Sequence, residues 1–184
     1  NGDVLDLWTD AYEVINSCNN VINALDVVVA ADQNRVRGEA LALRAWAHFE
    51  LTRMFGQQYE AGIDNTQLAV PLILIPTLAF GDNVDVTRNT VEECYNQVIT
   101  DLTEAESLLP ESNDVFINKY TAAALLARVY LQKADYAAAR DAANRVIASG
   151  DYELNNTYAE CFAQDDPTDE DIFSAENSEL DNSN

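Results

Sequence analysis

Basic residues are scarce in this 184-residue chain, with ten Lys and Arg against 32 Asp and Glu and a net charge of −22. Phosphate backbones and anionic membrane surfaces are held by clustered Lys and Arg, so this balance points away from both as partners. Past Arg145 there is no base at all, while residues 151–181 supply eleven acids. Six glycines and four prolines leave little of the punctuation that a chain of many strands and turns needs. Three cysteines, Cys18, Cys94 and Cys161, are odd in number and far apart, which is no disulfide framework. With no Cys-x-x-Cys and no cysteine–histidine cluster, a structural zinc site has no ligands. No apolar run approaches the ~18 residues of a membrane span, and no signal peptide opens the chain. It begins at Asn1-Gly2-Asp3 without Met, so any localisation signal is expected to lie outside it.

What is present favours helices. Hydrophobic residues make up 48% of the chain and aromatics 9%, enough for a packed core. Leu5, Trp8, Tyr12, Ile15, Ile22 and Leu25 recur three, four or seven apart and predict an amphipathic helix over 3–30. Asn16, Asn19, Asn20 and Asn23 lie beside that stripe. A second helix is predicted over 35–55, with Ala40, Leu41, Arg44, Ala45, His48 and Leu51 on one face and Gly56 as its stop. Residues 57–89 form a long loop, because the apolar run Val70-Pro71-Leu72-Ile73-Leu74-Ile75-Pro76 is fenced by prolines and reads as an extended piece across the helices. Thr90 and Glu93 have the capping-box spacing and open a helix over 91–109 that carries Val91, Tyr95, Val98, Leu102, Ala105 and Leu109. Two more helices follow over 119–133 and 136–149, the last capped by Asp135 and stopped at Gly150. The remainder, 151–184, is irregular and acidic, with Tyr158, Phe162, Ile172 and Phe173 able to anchor it.

The pair of helices around Ala123–Ile147 resembles a tetratricopeptide repeat. Ala127 and Ala139 are the small residues where the helices cross, Tyr130 fills the groove one turn later, and Asp135-Tyr136 makes the tight turn between the helices, so that Ala127, Tyr130, Tyr136 and Ala139 are the expected repeat-packing residues. The order of phrases along the chain resembles the SusD/RagB family of outer-membrane nutrient-binding lipoproteins. Trp8, Tyr12, Ile15 and Asn19-Asn20 resemble that family's first repeat helix. Arg37-Gly38-Glu39-Ala40-Leu41-Ala42-Leu43-Arg44-Ala45 resembles its next phrase, followed by Phe49, Leu51, Phe55 and Gly56. Val70-Pro71-Leu72, the Thr90-to-Ala105 stretch, Lys119 with Ala124–Leu131, and Asp171-Ile172-Phe173 continue the match in order. Cys94 and Val98 stand where the family phrase has Val and Ile. The resemblance implies a lipid-anchored, outward-facing protein of the outer membrane that caps a SusC-like TonB-dependent transporter and binds oligosaccharides or peptides. It also implies several hundred residues, so the anchor and a large C-terminal part are expected to lie outside these residues, and with them most of the ligand contacts.

Candidate chemistry within the chain is sparse. His48 is the sole histidine, mid-helix and without a nucleophile motif, and is expected to pack rather than catalyse. Close carboxylate pairs are inevitable among 32 acids, but none is singled out by an apolar setting as a glycosidase pair would be. Asp165 to Asp171 is rich in oxygen ligands yet lacks the glycine and order of a calcium loop. Arg44 and Arg128 sit in apolar phrases and are expected to pair with carboxylates or carbonyls. Trp8 and Trp46 fall within helices, while Tyr59 and Phe80 are loop aromatics and the candidates for ligand contact. The expectation is one all-α unit over 1–184, a right-handed superhelix of antiparallel helix pairs, with no catalytic residue, cofactor or metal. A free-standing tetratricopeptide-type adaptor that captures a peptide in its groove is the alternative to the transporter-capping reading.

Overall fold

The computed structural model describes residues 2–79, 86–162 and 168–174. Among them are five α-helices: α1 Gly2–Asn23, α2 Gln33–Phe55, α3 Val91–Leu108, α4 Lys119–Gln132 and α5 Tyr136–Ile147. Short 3-10 turns occupy Leu25–Val27 and Glu160–Phe162, and no strand forms among the described residues. Each helix packs chiefly on the next, α1 on α2 through to α4 on α5, the neighbour-on-neighbour pattern of a tetratricopeptide-like stack.

Local chemistry explains most of the boundaries. In α3 the Glu93 amide donates to Thr90 Oγ1 at 3.2 Å and the Thr90 amide to the Glu93 carboxylate at 2.8 Å, a complete capping box. Asn118 caps α4 through the Thr121 amide at 2.9 Å, and Asp135 caps α5 through the Ala138 amide at 3.1 Å. Gly150, at φ +74°, turns the chain after α5 in a conformation that suits glycine. Gly56 ends α2 differently from expectation. Its backbone is extended (φ −92°, ψ 172°), and a Cβ there would lie 2.6 Å from the Thr52 carbonyl and 3.0 Å from Ala69 Cβ. Close approach of the loop, not a left-handed turn, is what demands glycine.

Helix α1 stops at Asn23, seven residues before the expected end at Ala30. The Ala24 amide bonds to both Asn20 and Val21 carbonyls (3.1 and 3.2 Å), tightening the last turn toward 3-10 geometry. The β-branched run beyond it gains nothing from continuing, since Val27 and Val29 are 80% and 71% exposed. Leu5, expected on the buried stripe, is 63% exposed, so the packed face of α1 begins at Trp8.

The core is densest on α2 and α3. All six residues expected on the packed face of each helix are buried. Cys18 and Cys94 are buried free thiols, as small apolar side chains would be, and burial pushes the Cys18 thiol up to about 11. On the α4–α5 pair, Ala127, Tyr130 and Ala139 are half-buried, with Ala127 and Tyr130 against the core. Tyr136 stands at the turn into α5, as expected, but is 67% exposed and does not pack as a repeat residue. It lies roughly 100° around the helix from the direction of Ala142 and Val146, the buried residues of α5.

The expected extended run, 70–75, lies as a strap over α1, α2 and α3. Its base pairs with the start of α3, the Ala69 amide donating to Asn89 O at 2.7 Å and the Val91 amide to Gln67 O at 2.9 Å. A buried polar cluster holds the rest. Arg44 donates bidentately to Asp101, Nε to Oδ2 at 2.8 Å and Nη2 to Oδ1 at 2.9 Å. Its Nη1 donates to Asn19 Oδ1 at 2.9 Å, and Asn19 Nδ2 donates to the Ile73 and Ile75 carbonyls at 2.9 and 3.2 Å. Gln97 Nε2 donates to Asp101 Oδ1 at 2.8 Å, and the Ile73 amide donates to His48 Nε2 at 3.4 Å. The strap therefore has its carbonyls and amide satisfied by side chains from two helices, where another chain would use a sheet partner.

Asp101→Asn is expected to destabilise the fold by about 3–5 kcal/mol in urea unfolding, because the buried guanidinium loses its counter-charge. Arg44→Met combined with Asp101→Leu should recover much of that loss, and an additive result would show that the two groups act independently. A second expectation concerns pH. Burial, then the neighbouring Arg44 charge, lowers His48 from 6.5 to about 4. The unfolded chain therefore takes up a proton on His48 between those values while the folded chain does not. This stability is present above about pH 6.5 and is lost as pH falls toward about 4, by up to about 3 kcal/mol. Easing of the acidic surface repulsion runs the other way, so the measure is the difference between the native protein and His48→Gln across that window. Parallel curves would refute it.

Candidate binding site

Trp8, Tyr12 and Asn16 are spaced four apart on α1 and form a stripe one residue deep beside the strap. With Pro71, Ile73, Thr77 and Val86 they line an open cavity of about 280 Å³. Trp8 is braced by edge contact with Phe55 (centroids 4.9 Å apart, 89°) and a tilted contact with Tyr12 (5.0 Å, 50°). The Tyr12 hydroxyl donates to the Pro71 carbonyl at 2.8 Å, and burial raises its pKa, so the phenol stays neutral. Asn16 Oδ1 accepts from the Thr77 amide at 2.7 Å. Among the described residues no charged side chain lines the groove, whose aromatic edges and amide suit the apolar face of a neutral ring carrying hydroxyls.

Tyr59, a candidate from the sequence, sits elsewhere. Its ring meets Tyr95 at 5.2 Å, and Lys133 Nζ lies 5.0 Å from its centroid. Burial and the adjacent Glu92 carboxylate push its hydroxyl up to about 12. Burial works to raise Glu92, but hydrogen bonds from Tyr59 and Lys133 outweigh it and hold that carboxyl below its ordinary value. Nearby, Glu50, Arg53, Met54, Gln57, Gln58, Tyr95 and Gln132 line a polar hollow of about 350 Å³. Phe80 lies outside the described residues.

The other sequence candidates are occupied structurally. His48 spends Nε2 on the strap, and its buried Nδ1 has no hydrogen-bond partner. Arg44 pairs with Asp101, and the exposed Arg128 with Glu50 at 3.3 Å. Trp46 is half-buried and meets Phe173 edge-on at 6.1 Å. Asp171-Ile172-Phe173 lies against α2 and α4, with Thr121 Oγ1 donating to the Ile172 carbonyl at 3.4 Å, so Ile172 and Phe173 anchor the irregular segment. Of the acidic run 165–171, residues 165–167 lie outside the described part. Glu170 and Asp171 accept backbone amides of Asn155 and Thr168, and no grouping of three metal-ligating side chains occurs among the described residues. Nor is any helix among them long and apolar enough to cross a membrane.

Sequence reasoning found the strap but not the groove beside it. Tyr12 and Pro71 are 59 residues apart and Asn16 and Thr77 are 61, and these ties bring the two sides of the cavity together.

Residues 1–131 match the SusD-like family described as starch-binding and associating with the outer membrane. SusD-like protein P38 of Formosa agariphila is 30% identical over 148 residues, 80% of this chain but 27% of that relative. A SusD superfamily protein of Bacteroides thetaiotaomicron superposes with a TM-score of 0.73 at 35% identity, over 80% of this chain and 33% of the other. A laminarin-binding SusD-like protein superposes with a TM-score of 0.73 at 27% identity, over 86% of this chain and 34% of the other. The chain thus spans about a third of the length of the relatives it matches, and it belongs to the SusD-like family.

Proposed function

We propose that residues 1–184 are the helical-repeat scaffold of a glycan-binding protein of the outer membrane. In this reading the intact protein is lipid-anchored, faces outward and caps a SusC-like TonB-dependent transporter, to which it delivers oligosaccharides without cleaving them. Membership of the SusD-like family carries the proposal, and the laminarin-binding relative supports a neutral oligosaccharide as ligand. Most ligand contacts belong to parts of the intact protein beyond this chain. Within the chain, the side of the strap is the surface suited to contribute, because its groove is uncharged and carries Trp8 and Tyr12. Phe80 follows Thr77 of that groove by three residues and is proposed as the loop aromatic that meets the sugar. Tyr59 is the weaker of the two loop aromatics, since Tyr95 and Lys133 already engage its ring.

The intact protein is expected to co-purify with the transporter encoded beside it, and to bind laminarin oligosaccharides in calorimetry without releasing new reducing ends. Phe80→Ala should weaken binding about tenfold, the scale of one lost aromatic stack. Failure to bind any neutral oligosaccharide, together with no transporter recovered, would overturn the reading.

A further inference from the structure

Helix α1 carries two apolar stripes, one packed on the core and a second that touches it only through Ala11. The second, Val4, Leu7, Ala11 and Val14, recurs three and four apart, the spacing of a helix-pairing seam. It stands open, with Val4 58%, Leu7 43% and Val14 42% exposed. At its C-terminal end it meets α2, where Ala11, Val14, Leu43, Trp46, Ala47 and Glu50 line an open groove of about 280 Å³. The two alanines lower the floor, and Val14, Leu43 and Trp46 form the sides. Glu50, the only charged group lining it, is already held by Arg53 at 2.7 Å and Arg128 at 3.3 Å.

The charge beside the stripe is one-sided. Asp6, Asp10 and Glu13 lie on α1, none takes part in an ion pair among the described residues, and the first base of the chain is Arg35. Acids in a first helical turn are favoured by the helix dipole, which accounts for Asp6 but not for Asp10 and Glu13, one and two turns further on. We propose that this face of α1 and its groove dock an amphipathic helix of a partner protein, whose apolar ridge fills the groove and whose Lys or Arg flank lies along Asp6, Asp10 and Glu13. The alternatives fit the charge badly. A second copy would set the same acids against themselves. The chain's own last residues, 175–184, carry Glu176, Glu179 and Asp181 and no base. A sugar would find almost no free hydrogen-bonding group in the groove. The inference stands on α1 and α2 and does not depend on the glycan or transporter reading.

The test uses the full-length protein and a labelled three-heptad peptide with Leu on its ridge and Lys on its flank, beside a counterpart with Glu for Lys. Fluorescence anisotropy should show binding of the Lys peptide and not of the Glu peptide. Leu7→Asn with Val14→Asn leaves the charge unchanged and should weaken binding at least about tenfold, as loss of a central apolar anchor does. Leu43→Asn, on the other helix, should act in the same direction, whereas Ile147→Asn at the exposed end of α5 should not. Asp6→Asn, Asp10→Asn and Glu13→Gln together should flatten the salt dependence. Unchanged affinity in the Leu7/Val14 variant would reduce the attraction to diffuse charge and overturn the proposal. So would a dimer that the same variant dissolves. A full-length protein that ignores the Lys peptide and loses melting temperature on Leu7→Asn would overturn it too, since the face would then be covered from within.

Discussion

A guanidinium with 8% of its side chain exposed needs a carboxylate, and among the described residues only Asp101, 3% exposed, reaches it. Arg44 is on α2 and Asp101 on α3, so that one requirement sets the rotation of both helices about their axes. The third donor of Arg44 turns to Asn19 on α1, and Asn19 turns its amide to the strap carbonyls. Three helices and the strap are thereby registered through three side chains. The bidentate geometry is what makes this possible, since a lysine would supply a point charge without the fork that fixes direction. Apolar residues of equal volume are expected to hold the same helices together nearly as well, so the network's distinct contribution is where the strap lies. His48 adds to it by taking the Ile73 amide, at the cost of an unpartnered Nδ1.

The helices that pack on two sides were legible from their residue types. Val91 to Leu109 repeats at helical spacing, is announced by Thr90 and Glu93, and is buried at all six predicted positions. Helix α1 was less legible because it packs on one side only, against α2 and the strap. Its apolar residues form two stripes, and nothing in a single sequence distinguishes the stripe that meets α2 from the stripe left open. Leu5 lies on the packed stripe by spacing and is exposed because the packing begins one turn later, at Trp8. Tyr136 failed similarly, as a repeat consensus names a residue type but the last hairpin has no following repeat among the described residues to cover it.

The groove by the strap could not be read at all. The prolines that fence 70–76 exclude helix, and the apolar content says that the run packs down. Which helix it crosses depends on hydrogen bonds over more than fifty residues, from Asn19 to Ile73 and Tyr12 to Pro71. The asparagines of α1 gave the available hint. A run of amides beside a buried stripe is costly unless each finds a partner, and an extended backbone with unpaired carbonyls is the partner that suits them. Asn16 and Asn19 both end on the 70–77 segment.

The distribution of polar and charged groups gives the molecule two unlike flanks. Toward the strap, α1 spends amides and a phenol on backbone and presents no charge. Away from it, the same helix presents valine, leucine and unpaired carboxylates. A helix that merely closed a stack would need polar residues of both signs on its outer side, which keep a protein soluble without inviting association. Single-sign charge next to a 3–4 spaced apolar stripe instead discriminates among partners, attracting a basic ridge and repelling an acidic one. The strap side is suited to neutral ligands for the converse reason, as its polar groups are already satisfied and its aromatics are braced at fixed angles. In the two proposed roles one helix separates two kinds of recognition, and the Arg44 network holds it against α2, α3 and the strap.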